Sequence, residues 1–221
     1  MEHETLFLRE YQAYANTFID QIHRRVIQGE KIPHQEKIFS IFQPHTEWIS
    51  KGKAGTPVEL GIRVSIMEDR YGFILHHKVM EKETDEKVTV EMVEESQIRF
   101  PALNIVSFDK GYYTPNNLIE LQELLDLAVL PKKGRRSKRD QERESSEEFG
   151  VLRKQHSAVE SAVNGLEQHG LDICPDHGID GFKRYVALAV VGRNIHRLGS
   201  IIRKQHQEQE KRKRGPYKKA A

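Results

Sequence analysis

Apolar positions along this chain change their spacing several times, and each change marks an element. In residues 4–28, Phe7, Tyr11, Tyr14, Phe18, Ile22 and Val26 recur at helical steps, which predicts an amphipathic helix stopped by Gln28 and Gly29. Pro33 marks the break that follows. Residues 37–43 read as a strand ended by Pro44, and 51–57 as a loop. Two longer strands, 58–67 and 71–80, are joined by Glu68, Asp69 and Arg70 with Gly72 nearby, the composition of a tight antiparallel hairpin. Residues 85–99 are predicted as a helix with Val88, Met92, Val93 and Ile98 inward.

The second half alternates. An apolar run over 103–108 predicts a strand, 116–126 a helix and 127–131 a short strand. The polar stretch 132–146 reads as exposed. A long helix is expected over 147–169 and another over 181–205, the latter with Phe182, Val186, Ala189, Val190, Leu198 and Ile202 facing a core. From His206 onward apolar residues are few, and a disordered basic tail is expected. The resulting order is α/β: an antiparallel three-strand start, then alternating strands and helices. That is the order of a ribonuclease H-like mixed sheet, here expected over 33–205 between an N-terminal helix (1–32) and the tail (206–221).

Composition narrows the class. At 221 residues, 37% hydrophobic and 31% charged, the chain can bury a core as a single domain with appendages. No apolar run is long enough to span a membrane, and Met1-Glu2-His3-Glu4 has no signal-peptide character. A cytosolic location is therefore expected, and the single cysteine, Cys174, which cannot make an internal disulfide, agrees with a reducing compartment. The net charge of +2 hides segregation: Lys132, Lys133, Arg135, Arg136, Lys138 and Arg139 form one basic block, and residues 211–214 with Lys218 and Lys219 another. Such blocks are either solvated surface or the electrostatic footprint of a polyanion.

Asp109 is the first candidate for chemistry. It ends the apolar run of 103–108, ahead of a Lys110-Gly111-Tyr112 turn, and strand tips of that kind carry ligands in open α/β sheets. A carboxylate there suits a hard cation such as Mg²⁺; an aspartate before glycine also serves simply as a turn or N-cap residue. Glu160 is the second candidate, on a polar stripe with Arg153, His156, Asn164 and Glu167. That stripe is either a solvent face or an acid set beside phosphate-binding groups. His169, Cys174 and His177 lack the paired spacing of a zinc site, and His76 and His77 point to opposite faces of a strand. Trp48, Tyr112 and Tyr113 are either base-stacking or core aromatics.

Several segments, in order, resemble motifs of DDE transposases of bacterial insertion sequences, in the ISNCY-type group. They are Ser40-Ile41-Phe42-Gln43-Pro44-His45-Thr46-Glu47, Ser107-Phe108-Asp109-Lys110-Gly111-Tyr112, Val159-Glu160, Gly170-Leu171-Asp172 and Gly181-Phe182-Lys183-Arg184-Tyr185. The resemblance covers roughly residues 20–203. It implies a ribonuclease H-like catalytic domain in a bacterial, nucleoid-associated protein. Three carboxylates and two Mg²⁺ ions would there cleave and join phosphodiesters at insertion-sequence ends. By position, Asp109 matches the family's second aspartate and Glu160 its terminal glutamate. Lys110, the basic block, Arg153 and His156 are then expected to contact duplex DNA.

No residue matches the family's first aspartate: Asp20 lies in the N-terminal helix and Asp69 in a hairpin turn. Gln43 stands where the family often has an acid, and Glu167 where related enzymes tend to carry lysine. The expectation is a C-terminal part of a transposase with weak or no activity alone. The other expectation is a DNA-binding or oligomerising fragment, pairing with itself or with full-length transposase.

Overall fold

The computed structural model describes residues 2–50, 57–156, 158–171 and 173–214, with the backbone alone at 2–4, 158–161, 169 and 214. The chain is a mixed α/β protein. It runs α1 (Glu2–Ile22), β1 (Glu47–Ser50), β2 (Val58–Gly61), β3 (Arg63–Glu68), β4 (Ile74–Met80), α2 (Asp85–Arg99), β5 (Ile105–Ser107), α3 (Pro115–Leu124), β6 (Leu127–Val129), α4 (Lys138–Ser145), α5 (Glu147–His156), α6 (Ala158–Leu166) and α7 (Gly178–Arg214). Among the described residues, three two-stranded sheets pair β1 with β2, β3 with β4, and β5 with β6. The β1–β2 ladder is antiparallel and the β5–β6 ladder parallel, with Val106 opposite Ala128.

Two compact units divide the chain. The first comprises Met1–Val64, Val79–Lys82 and Asp176–Phe182. Here α1 continues as one π-helical turn, His23–Ile27, and Arg24 closes the following loop on Glu30 (2.6 Å) and Glu36 (2.9 Å). Residues 37–43, expected as a strand, are irregular. Their backbone is taken up by a side chain instead: the Gln21 amide both donates to Ile38 O and accepts from Ile38 N. The strand forms later, at β1, and the expected 58–67 strand is broken at Ile62 into β2 and β3.

The second unit comprises Ser65–Lys78, Glu83–Pro175 and Lys183–Ala221. The β3–β4 turn is built by Asp69, whose Oδ1 accepts from Tyr71 N (2.9 Å) and Phe73 N (2.8 Å), while Gly72 takes a left-handed φ of 85°. Helix α2 buries Val88, Thr89, Met92, Val93 and Ser96. Ile98, expected inward, is 80% exposed. At 100° per residue it falls off the face set by Val88 and Met92, and Ser96 takes the next inward place.

Helix α3 starts as its sequence dictates, with Thr114 accepting from Asn117 N and proline at the first turn. Buried Leu121, Leu125, Val129 and Leu130 continue from it into β6. Segment 132–146 is not wholly irregular. Ser137-Lys138-Arg139-Asp140 is a capping box that starts α4. Helix α5 seats the buried Phe149 and packs on β5 and β6.

The expected 147–169 helix is described as α5 and α6, followed by a π-helical turn at Glu167–Leu171. Ile74, Leu166, Ala189 and Val190 form a core cluster, with Ile66 and Leu171 against it. Helix α7 does not end at 205. It stays helical through Arg214, so the expected tail is ordered over 206–214, and 215–221 lie outside the described residues. Long charged side chains with good helix propensity sustain that extension without burial.

Leu198 and Ile202, expected in the core, are exposed. The face of α7 that continues from Val186 and Val190 carries Arg193, Asn194 and Arg197 instead. Asn194 pairs with both backbone groups of Ile74, and Arg193 donates to Gly72 O and to Glu68. Arg197 donates to Tyr71 O (2.6 Å). The turn of one hairpin is thus clamped by three polar side chains from a helix 120 or more residues away in sequence.

Candidate functional site at the Asp109 turn

Strand β5 brings the chain to Asp109, and the parallel ladder with β6 extends to the bond from Phe108 N to Val129 O (2.9 Å). Phe108 is buried, Asp109 and Lys110 are exposed, and Lys110–Tyr112 form one 3₁₀ turn before Tyr113 is buried again. Asp109 stands at the N-cap of that turn, yet its side chain makes no capping hydrogen bond. The ordinary structural role of an aspartate at such a position is therefore not exercised here.

The turn is fixed from below. Tyr112 O accepts from the buried Asn117 amide (2.9 Å), which also donates to Glu86 O (2.7 Å). Thr89 Oγ1 donates to Asp85 O (2.7 Å), with a longer bond to Tyr112 O (3.3 Å). The Tyr112 hydroxyl shares a 2.7 Å hydrogen bond with Ser65. Burial raises the Tyr112 phenol, Ser65 partly offsets this, and the carboxylates of Asp85 and Asp109 add to the rise. That side chain is a neutral anchor near neutral pH.

Asp85, which sequence reading passed over, packs on Gly111 so closely that a methyl there would lie 2.8 Å from Asp85 Oδ2. Only glycine fits that approach without displacing the carboxylate. The signal for Asp85 in the sequence is its place in the first turn of a helix, where carboxylates are favoured by the helix dipole.

Glu160 lies on α6, and its side chain lies outside the described residues, as does Asp172. Arg153 is exposed and His156 half-buried at the end of α5. Among the described residues no group of three or more His, Cys, Asp or Glu side chains converges as a metal site. Ser107 Oγ, two residues before Asp109, is buried without a hydrogen-bond partner. Asp69 has its Oδ1 engaged by two backbone amides, and Asp20 sits 3.5 Å from Arg24, so both carboxylates already take part in local structure. Gln43 uses its amide oxygen to accept from Gly178 N (3.2 Å).

Tyr113 is buried and Tyr112 half-buried, which leaves Trp48, 46% exposed, as the accessible aromatic of the three considered for stacking. His76 is buried with Nε2 2.8 Å from a Glu95 oxygen, close but not aligned as a hydrogen bond. Burial lowers the neighbouring His77, and His76 and Arg99 lower it further.

The basic block divides into two kinds of residue. Lys132 Nζ lies 3.2 Å from Asp140 and over the Tyr113 ring, and Arg136 Nε lies 3.0 Å from Glu144. These two are matched by acids. Lys133, Arg135, Lys138 and Arg139 are exposed around the start of α4.

Asp140 is pulled down to about 2 from 3.8, first by the Ser137 hydroxyl and then by the Ser137 backbone N–H, with Lys132 adding less. Its folded value is depressed, so its contribution is complete above the ordinary 3.8 and lost as pH falls toward 2. Amide-exchange protection of α4 is expected to disappear over that window in the wild type. In Asp140→Asn it should already be weak at pH 5.

Among the described residues no helix is long and apolar enough to cross a membrane. Compared with protein-family models, curated proteins and solved structures, the chain matches none of them.

Proposed function

We propose that this chain is a transposase-like protein acting on DNA, with a ribonuclease H-like catalytic region in which Asp109 is a metal-binding carboxylate. The observation that carries the reading is the exposed Asp109. It sits just past the C-terminal end of a parallel strand, makes no capping bond, and rides on a turn anchored by Asn117 and Tyr112. A carboxylate held rigidly yet left unused by the fold is what a phosphoryl-transfer site requires. Glu160 is the proposed second carboxylate, Mg²⁺ the proposed cation, and insertion-sequence ends in bacterial DNA the proposed substrate. Asp109 alone among the described side chains presents an exposed carboxylate at that strand end, too few for the two ions the family resemblance implies.

A second reading is favoured by the four exposed cations around the start of α4: a non-catalytic DNA-binding module. One experiment tests both. The purified chain is expected to bind duplex DNA while nicking supercoiled plasmid poorly in Mg²⁺. Nicking abolished by Asp109→Ala would establish the catalytic site and overturn the inactivity of the isolated chain. Nicking untouched by Asp109→Ala would remove Asp109 from the chemistry, and absence of DNA binding would end both readings.

A further inference from the structure

Helix α7 carries two apolar faces, and the fold uses one. Val186, Ala189 and Val190 are buried, and Asn194 grips β4 from the same side. On the other side Leu188, Val191, Ile195, Leu198 and Ile202 are all exposed, from 46% to 67%. Their spacing alternates three and four residues, the a and d positions of two coiled-coil heptads. At 1.5 Å per residue this stripe is about 20 Å long. Gly192 and Gly199 lie beside it, seven apart, and a methyl on either would meet nothing within 4 Å. Glycine inside a helix weakens it relative to alanine, and contacts among the described residues give no reason for either one.

We propose that this face is closed by α7 of a second copy of the chain, running antiparallel. The seam is self-complementary in that sense. Val191 would meet the partner's Ile202, Ile195 would meet the partner's Leu198, and Gly192 would face the partner's Gly199, where the absence of side chains lets the two backbones approach. Charge selects the direction. On and beside the stripe the helix carries Arg184 toward its start and Glu208 toward its end, followed by Lys211, Arg212, Lys213 and Arg214.

A parallel pair would set the four terminal cations against their own kind. The antiparallel pair instead brings Arg184, in line with the stripe, beside the partner's Glu208, which flanks it, so opposite charges meet at both ends of the seam. The pairing needs no rearrangement of the buried face, because the centre of the stripe lies well away around the helix from Val186, Ala189 and Val190.

The test is the solution mass of the full chain by light scattering and sedimentation, with Ile195→Glu as the variant. The wild type is expected to dimerise reversibly. Ile195→Glu is expected to weaken dimerisation by about a hundredfold with unchanged far-UV circular dichroism, since a seam cannot close over an unpaired carboxylate. A wild type that stays monomeric, or a dimer indifferent to Ile195→Glu, overturns the proposal. If Ile195→Glu instead lowers the melting temperature of a monomer, the stripe is covered from within the chain.

Direction is read by cross-linking in a Cys174→Ser background, with Val191→Cys and Ile202→Cys in separate chains. Disulfides are expected only when the two chains are mixed. A disulfide in the Val191→Cys chain alone would overturn the antiparallel arrangement.

Discussion

Duplex DNA bound by this chain is expected to be released steeply by salt, by about a hundredfold in affinity between 50 and 200 mM. The figure is that expected if the four exposed cations, Lys133, Arg135, Lys138 and Arg139, each neutralise one phosphate, with a slope of about −0.9 per phosphate. They are exposed at the start of α4, whose capping box fixes the local backbone. Replacing all four by glutamine should flatten the slope by about 3.6, measured by fluorescence anisotropy against log salt. The informative control is Lys132 and Arg136. Those two already face Asp140 and Glu144, so replacing them should change the slope little while loosening α4. Equal loss of slope from both sets would mean that the ion pairs open on binding and that the division between them is wrong.

Arg193→Ala is expected to destabilise the second unit by about 3–5 kcal/mol, a fall of roughly 10 °C in melting temperature. Arg193 and Glu68 meet at 2.6 Å with side chains only 12% and 7% exposed, and Arg193 also donates to Gly72 O. Burial already raises the Glu68 carboxyl above its ordinary 4.5, with Arg193 holding it down. Without the guanidinium an unpaired carboxylate stays buried, which is why loss of one partner costs more than the pair contributes.

The sign with pH follows. A carboxyl raised in the folded state favours the fold when protonated, so the penalty in Arg193→Ala is largest at neutral pH. It should shrink as pH falls through the raised folded value of Glu68 and be relieved by the time pH is below the ordinary 4.5. Glu68→Leu combined with Arg193→Met should recover most of the loss. Chemical denaturation at pH 7 and pH 4 checks both, and a penalty independent of pH would mean that packing around Arg193, not charge, carries the effect.

The Asp109 turn was legible because its signals are local. An apolar run, an aspartate and a Lys-Gly-Tyr turn lie within one short segment, and Thr114-Pro115 announces the next helix. Helix α2 was legible for the same reason, through Val88, Met92 and Val93 at one face. The capping box at Ser137 and Asp140 was equally local, although the charge around it reads first as exposed loop.

Residues 37–43 were misread because their Ile-Phe alternation is strand-like while the Gln21 side chain, from another element, takes up the Ile38 backbone. Leu198 and Ile202 were misread because helical spacing cannot distinguish which of two apolar faces meets the core. Arg193 and Asn194 look like solvent-facing residues until β4 is set beside them.

The sequence by itself determined the mixed α/β character, the helices around Val88 and Val186, the hairpin at Asp69 and the acid that ends β5. Each depends on contacts a few residues apart, whose geometry φ, ψ and side-chain period largely dictate. Only the tertiary structure decided that Glu68 is buried and needs Arg193, that Asn117 and Thr89 hold the Asp109 turn on α2, and that Lys132 and Arg136 are matched by acids. It also decided that α7 leaves its second stripe outward. Those outcomes turn on which surfaces meet across more than a hundred residues in the case of α7 and β4, and a buried charge or carbonyl acquires its partner only when the chain has closed.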